Sequence, residues 1–173
     1  MRIAAATAVA ALAVASFAVA QPAAQPNDAQ IAHIAYTAGV IDIATAKQAL
    51  AKSKNPKVRE FAEEMVRDHS AVNDKALALV KKLGVTPQDN PTSKSLAEIE
   101  GEKRADQAKL SGHAFDVAYA ANEVAYHKMV DNALEQTLIP DAQNAELKSL
   151  LQTGLKLFQM QEQHAEQLVA DLK

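Results

Sequence analysis

The chain has 173 residues, contains neither cysteine nor tryptophan, and carries a net charge of −3 at pH 7. The lack of cysteine excludes disulfides, thiol chemistry and thiolate metal ligands. Basic residues are interspersed with acidic ones instead of forming a basic patch, so we expect no nucleic-acid partner. A chain of this length can bury one hydrophobic core.

The first 20 residues have the pattern of a secretory signal peptide. Arg2 supplies the positive charge, residues 3–19 form an unbroken run of small and apolar side chains, and Ala18-Val19-Ala20 fits the cleavage rule. A membrane anchor is the alternative, but the run is rich in alanine, barely long enough to span a bilayer, and followed by a polar linker over residues 21–27. We therefore expect cleavage after Ala20, a periplasmic or secreted location, and no stable membrane insertion of the mature chain.

The rest of the chain predicts helix, because sustained period-two alternation is missing and alanine and leucine are abundant. We expect a first helix over about residues 28–53, capped by Asn27 or Asp28. The second helix begins at Pro56, a residue that suits the first turn, and ends at Gly84, a residue that suits the position after the last turn. Its apolar stripe contains one histidine and consists of Val58, Phe61, Met65, His69, Val72, Ala76, Leu79 and Leu83.

A different kind of segment follows over residues 85–112. Thr86-Pro87 and Asn90-Pro91-Thr92 are turn signals, and Ser95-Leu96-Ala97-Glu98 has the pattern of a capping box that opens a short polar helix. The segment predicts a crossover connection, not a member of the bundle.

Two further long helices are expected, over about residues 113–138 and 142–172, separated by Ile139-Pro140-Asp141. Two helical hairpins joined by one long crossover is the connectivity of ferritin-like bundles, whereas simple up-down bundles use short loops throughout. We therefore predict an all-α, ferritin-like four-helix bundle that forms a single domain over residues 28–173.

Several stretches of the chain resemble a known family. They are NPKVREFAEEMVRDHS at residues 55–70, FDVAY at residues 115–119, and the following His127. These residues resemble the exported bacterial family called domain of unknown function 4142, over most of the mature chain from 39 to 164. The resemblance implies a ferritin-like fold and an envelope location, and it implies little about activity. One departure is Asp42, which stands where we expect the family's glutamate and is one methylene shorter.

Four polar side chains are predicted to meet in the bundle core. Asp42 and His69 are each about 13 to 14 residues from the Asn55-Pro56 turn, so they lie at the same height in an antiparallel hairpin. His127 is near the middle of its helix, as His69 is, and Glu123 lies one turn before it on the core-facing side. Two imidazoles and two carboxylates suit zinc, iron or another transition metal. The alternative is a metal-free core in which Glu123 pairs with one of the histidines.

The other histidines are not expected in this site. His164 and His127 differ in height by roughly 16 Å at 1.5 Å per residue, so they cannot share one site in a straight hairpin. His164 is level with Asp116 and near His113, where a polar cluster is possible, but its place at the edge of the apolar stripe favours a solvent-exposed position. We expect His33 at the surface or at a helix end.

Two functions fit these features. The first, which we favour because it needs no special residues, is a structural or interaction role with an unidentified partner in the cell envelope, for example in stress tolerance. The second is a metal-binding bundle that holds a divalent ion. Di-iron carboxylate bundles place an acid three residues before each histidine, and this chain has no such step, so we expect neither ferroxidase-like chemistry nor catalytic residues. A homo-oligomer is also possible, as ferritin-like bundles often pair through a helical face.

Overall fold

The computed structural model describes residues 25–173, so the predicted signal peptide and the first part of the linker lie outside the described residues. The elements in chain order are α1 (Asp28–Lys52), α2 (Pro56–Leu83), α3 (Pro91–Ala108), α4 (Gly112–Ala133), a π-helical turn (Leu134–Leu138), the single turn α5 (Ile139–Asp141) and α6 (Ala145–Asp171). The predicted all-α class is confirmed, and so are the four long helices.

The long helices form two hairpins. α1 packs along α2, α4 packs along α6, and α2 contacts α6 across the bundle. The crossover helix α3 lies mainly against α1 and also touches α4. The result is a bundle of four long helices with one helix-containing crossover, and the finer ferritin-like arrangement stays a prediction. Among residues 25–173, no helix combines the length and the apolar character that a membrane span requires.

Local capping explains where the first two helices begin and end. The Asn27 side chain accepts a hydrogen bond from the backbone of Gln30, and the Gln30 side chain accepts one from the backbone of Asn27. Asn55 caps α2 with Pro56 in its first turn. α2 ends at Gly84, whose φ of 64° lies in the left-handed region that favours glycine. These features confirm the predicted ends of α1 and α2 to within one residue.

The crossover helix begins earlier than predicted. The side chain of Asn90 accepts a hydrogen bond from the Ser93 backbone at 3.0 Å, and Ser93 Oγ accepts one from the Asn90 backbone at 3.3 Å. This capping box, with Pro91 in the first turn, starts α3 there. The predicted box at Ser95–Glu98 is therefore wrong, because both ends of it lie inside a helix that has already started.

His33 anchors this crossover to α1. Its Nδ1 lies 3.0 Å from Ser93 Oγ, and its Nε2 lies 3.1 Å from Asp89 Oδ1. The expectation that His33 is an isolated surface residue is wrong, because the connection before α3 folds back onto α1 and meets it.

The core has a polar layer between two apolar clusters. One apolar cluster includes Phe61, Met65, Phe115, Tyr119, Ala165 and Leu168, and the other includes Ile31, Ile34, Val80, Leu134, Leu151 and Phe158. On α2 the residue between them is His69, and on α6 it is Gln161. Four helices thus direct polar side chains into the middle of the bundle, between the two apolar clusters.

Candidate metal centre

Asp42, His69 and His127 converge in this polar layer from α1, α2 and α4. Asp42 Oδ2 lies 3.3 Å from His69 Nε2 and 3.7 Å from His127 Nε2. Each residue offers one possible ligand atom, and these three atoms all lie within 4.8 Å of one another. The three residues are 1%, 3% and 1% exposed. The prediction that they share one height in the bundle is confirmed.

Glu123 lies beside this group. Its side chain is buried, as predicted from the helical wheel, and its Oε2 lies 3.8 Å from His127 Nδ1. The contact is with the ring nitrogen that does not face Asp42. Glu123 is therefore close to His127 without being one of the three converging residues, and its role as a fourth ligand stays a prediction.

A backbone contact sets the tautomer of His127. Its Nδ1 lies 3.0 Å from the main-chain oxygen of Glu123. A carbonyl oxygen can only accept, so Nδ1 carries the proton and donates it, and Nε2 of the neutral ring presents a lone pair. That lone pair faces the carboxylate of Asp42, which is also an acceptor. Two facing acceptors in a buried site are stable only with a proton or a cation between them.

Several polar atoms of the layer make no hydrogen bond to the protein. They are Asp42 Oδ1 and Oδ2, His69 Nδ1 and Nε2, Glu123 Oε2 and His127 Nε2. Asp42 Oδ2 lies within ion-pair distance of both Nε2 atoms, but neither contact is a hydrogen bond. Each buried group without a partner costs about 1–3 kcal/mol, so the arrangement favours an additional species that Asp42 Oδ2 and the two Nε2 atoms can bind together.

Burial determines the charge of the site. It raises the pKa of Asp42 to about 6, against the opposing influence of the His127 charge. It lowers the pKa of His69 to about 4 and also lowers the pKa of His127. It raises the pKa of Glu123 well above the usual range, with a further contribution from the charge of Asp42. At pH 7 the layer thus contains two neutral imidazoles and the carboxylate of Asp42, which are in the form that binds metal ions, while burial favours the protonated form of Glu123.

Two residues of α6 complete the surroundings of His69, and sequence reasoning did not find them. The ring of Phe158 stacks on the imidazole with 4.8 Å between centroids and 2° between planes. Gln161 is fully buried, and its side-chain amide donates to Asp68 Oδ2 at 3.4 Å. A signal was present in the sequence, because Gln161 continues the three- and four-residue steps from Phe158 to Ala165.

Glu100 of the crossover helix was also missed. It is 2% exposed, pairs with Lys103 Nζ at 2.7 Å, and its charge contributes to the raised pKa of Glu123. The sequence carried no signal for it, since α3 is polar on all sides and a wheel therefore shows no buried face.

His164 lies away from the centre. Its Nδ1 is 2.8 Å from Glu64 Oε2, its ring packs edge-on against Phe61, and its side chain is 48% exposed. The prediction that it does not share a site with His127 is confirmed. His113 is exposed and Asp116 is buried, and the described contact of His164 is with Glu64 of α2, not with either of them.

Comparison with known proteins places the chain in one family. Residues 13–168 match the family described as Domain of unknown function (DUF4142), a range that contains every residue of the candidate centre. No curated protein and no solved structure was found to match the chain. With nearly the whole chain matched, as the stretches at residues 55–70 and 115–119 suggested, the protein belongs to the family described as Domain of unknown function (DUF4142).

Proposed function

We propose that this protein binds one divalent transition-metal ion through Asp42, His69 and His127. The observation that carries the proposal is the convergence of three ligand atoms from three helices within 4.8 Å, at a site where the side chains are almost fully buried. Buried charges and lone pairs of this kind are normally paired or bound to a metal.

The spacing of the ligand atoms supports this proposal. Bonds of about 2.0–2.2 Å in a tetrahedral zinc site place neighbouring ligand atoms roughly 3.3–3.6 Å apart. Asp42 Oδ2 lies 3.3 Å and 3.7 Å from the two Nε2 atoms. Asp42 thus lies from each histidine close to the separation that such an ion requires, which supports binding by these three residues.

The chemistry of the ligands limits the choice of ion. Two imidazoles and a carboxylate suit zinc or iron(II), and three protein ligands leave at least one coordination position for water or a further ligand. The main-chain oxygen of Glu123 orients the His127 ring by accepting its Nδ1 proton, a role that outer groups commonly fill at histidine ligands. The almost complete burial of the ligands favours holding the ion over turning over a large substrate.

The cellular setting of this function rests on the N-terminal pattern. We place the protein in the periplasm because residues 1–20 have the composition of a cleaved signal peptide. An interaction with an envelope partner and a homo-oligomer stay predictions. The buried Asp-His-His group supports metal binding, and we therefore favour that function over a purely structural one.

Elemental analysis of the mature protein tests the proposal. The protein is purified without a chelator or affinity tag, alongside His69→Ala, His127→Ala and the control His164→Ala, a half-exposed histidine outside the centre. We expect near-stoichiometric zinc or iron in the wild type and in the control, and loss of the metal in the other two variants. A wild-type protein that is metal-free and takes up neither added zinc nor added iron(II) overturns it. The mass of the mature chain tests cleavage after Ala20.

A further inference from the structure

A cavity of about 210 Å³ lies next to the polar layer, towards the end of the bundle where α5 is found. All four long helices and α3 contribute to its wall. The lining side chains among the described residues are apolar except for Asn73 and Thr92. Protein interiors are packed tightly, and an engineered apolar cavity of about 150 Å³ is already large enough to bind benzene, so a cavity of this size can hold a small organic molecule.

The cavity is long and narrow. Along α6 its wall extends from Leu147 to Phe158, roughly 16 Å at 1.5 Å per residue, and along α2 it extends from Val72 to Val80, roughly 12 Å. The small residues Gly154 and Ala76 are part of this wall. The stated volume spread over such a length leaves a slender channel, which matches one extended alkyl chain better than a compact ring system.

The two ends of the cavity differ in character. At one end the cavity is closed by Phe158. The ring of Phe158 also stacks on the His69 ring of the polar layer. At the other end, away from the polar layer, Thr92 at the start of α3 lines the cavity and is exposed, so an opening lies there. A bound chain can therefore be buried while a polar head group stays in water.

We propose that this cavity binds the alkyl chain of an uncharged amphiphile of medium length. The chain lies along α6 with its end towards Phe158, and the head group lies at the opening near Thr92. An ionised group inside the channel would lose its hydration without gaining a partner, because no lining side chain is charged. The proposal does not depend on metal at Asp42, His69 and His127.

Calorimetric titration with 1-octanol and with cyclooctanol tests this proposal on the mature protein. The two probes share the hydroxyl group and the number of carbons and differ in shape. We expect saturable one-site binding of 1-octanol and about tenfold weaker binding of cyclooctanol, a difference that corresponds to about 1.4 kcal/mol. Failure of 1-octanol to bind saturably, or equal affinity for both probes, overturns the proposal.

Two substitutions that fill the channel locate the binding site. A Cβ at Gly154 meets only Phe158, at 3.5 Å, so Gly154→Leu can be accommodated and places its side chain in the channel. Ala76→Leu fills it from α2. We expect each variant to bind 1-octanol at least about tenfold more weakly. The control Gly101→Leu makes the same gain in helix propensity on α3, where a Cβ meets nothing within 4 Å, and keeps wild-type affinity. Unchanged affinity in both filling variants overturns the proposal, with circular dichroism confirming that each variant is folded.

Discussion

Asp42 Oδ2 lies 3.3 Å from His69 Nε2, and this contact joins the first two helices inside the core. It is not an ordinary salt bridge, because burial lowers the pKa of His69 to about 4 and leaves the imidazole neutral at pH 7. Nor does it have the angle of a hydrogen bond. A carboxylate held this close to a neutral ring gains little from the ring itself, so its stability depends on what else binds there.

Replacing His69 by alanine tests whether this residue is a metal ligand or only a packing residue of the core. With zinc at about 100 times its dissociation constant, the wild-type protein gains about 2.7 kcal/mol of unfolding free energy, because only the folded state binds. We expect His69→Ala to lose this gain completely while keeping a helical fold. Chemical denaturation in zinc and in chelator measures the unfolding free energy of each protein with and without bound metal.

The matched control for this prediction is His164→Ala. His164 pairs with Glu64 at 2.8 Å and is half-exposed, so its removal leaves the centre intact. We expect this variant to keep the full zinc-dependent gain. A His69→Ala protein that is destabilised equally with and without zinc would show that His69 is only a core residue.

Asp42→Asn is expected to change stability in opposite directions with and without metal. The pKa of Asp42 is raised from 3.8 to about 6 by burial, so the unfolding free energy of the metal-free protein falls as pH rises through that window and stays lower above it. The asparagine side chain has no charge to bury. At pH 8 in chelator we expect the variant to be more stable than the wild type by about 1–3 kcal/mol.

With zinc at about 1,000 times the dissociation constant of the wild type, which adds about 4.1 kcal/mol, the order reverses, because asparagine is a poor ligand for a divalent ion and the variant gains little from binding. Denaturation at pH 8, in zinc and in chelator, gives the difference in unfolding free energy between variant and wild type under each condition. A variant that is less stable than the wild type even in chelator would mean that the Asp42 carboxylate makes a favourable contact within the protein alone.

The dependence of zinc affinity on pH should reflect protonation of Asp42 more than protonation of the histidines. Protons and zinc compete for the same atoms, so affinity falls when a ligand becomes protonated. Asp42 has a pKa of about 6 and His69 one of about 4. Between pH 6 and pH 5 we expect affinity to fall by about fivefold, because a single proton with a pKa of about 6 is half bound at pH 6, and to level off above pH 7. Competition with a calibrated chelator measures it, and a two-proton slope in this range would show that a histidine titrates there as well.

Helix geometry is the reason that the centre could be predicted. The rise per residue is fixed, so counting from the Asn55-Pro56 turn placed Asp42 beside His69, and the middle of α4 placed His127 beside them. The helical wheel placed Glu123 in the core. Both arguments use properties of a single helix or hairpin and need no knowledge of the loops.

Contacts that depend on a loop path could not be predicted in this way. His33 meets Ser93, which lies 60 residues away and at the start of the crossover, and no helical period relates them. Gln161 is different, since its position in the stripe of α6 indicated burial. A polar residue at a buried position of an apolar stripe thus indicates the polar layer, although Gln161 was not named from the sequence.

A further buried acid, Asp131 on α4, provides a test that is independent of metal. It is 6% exposed, and both carboxylate oxygens lack hydrogen bonds. Burial, with the charges of Glu162 and Glu135, raises its pKa from 3.8 to about 7. The folded state therefore binds more protons than the unfolded state between these values, and unfolding free energy falls as pH rises from about 4 to 7.

Asp131→Asn should remove this loss of unfolding free energy, because asparagine does not ionise. We expect the variant to be more stable than the wild type at pH 8 by about 1–2 kcal/mol, below the full value of the shift because solvent near the group screens the charges, and to match it at pH 4. The control Asp106→Asn alters a carboxylate that is 76% exposed and paired with Lys109, and its effect should stay within about 0.5 kcal/mol. Urea denaturation at the two pH values measures each difference. If the gain from Asp131→Asn is the same at pH 4 as at pH 8, it arises from packing or helix propensity, and the charge of Asp131 is not its cause.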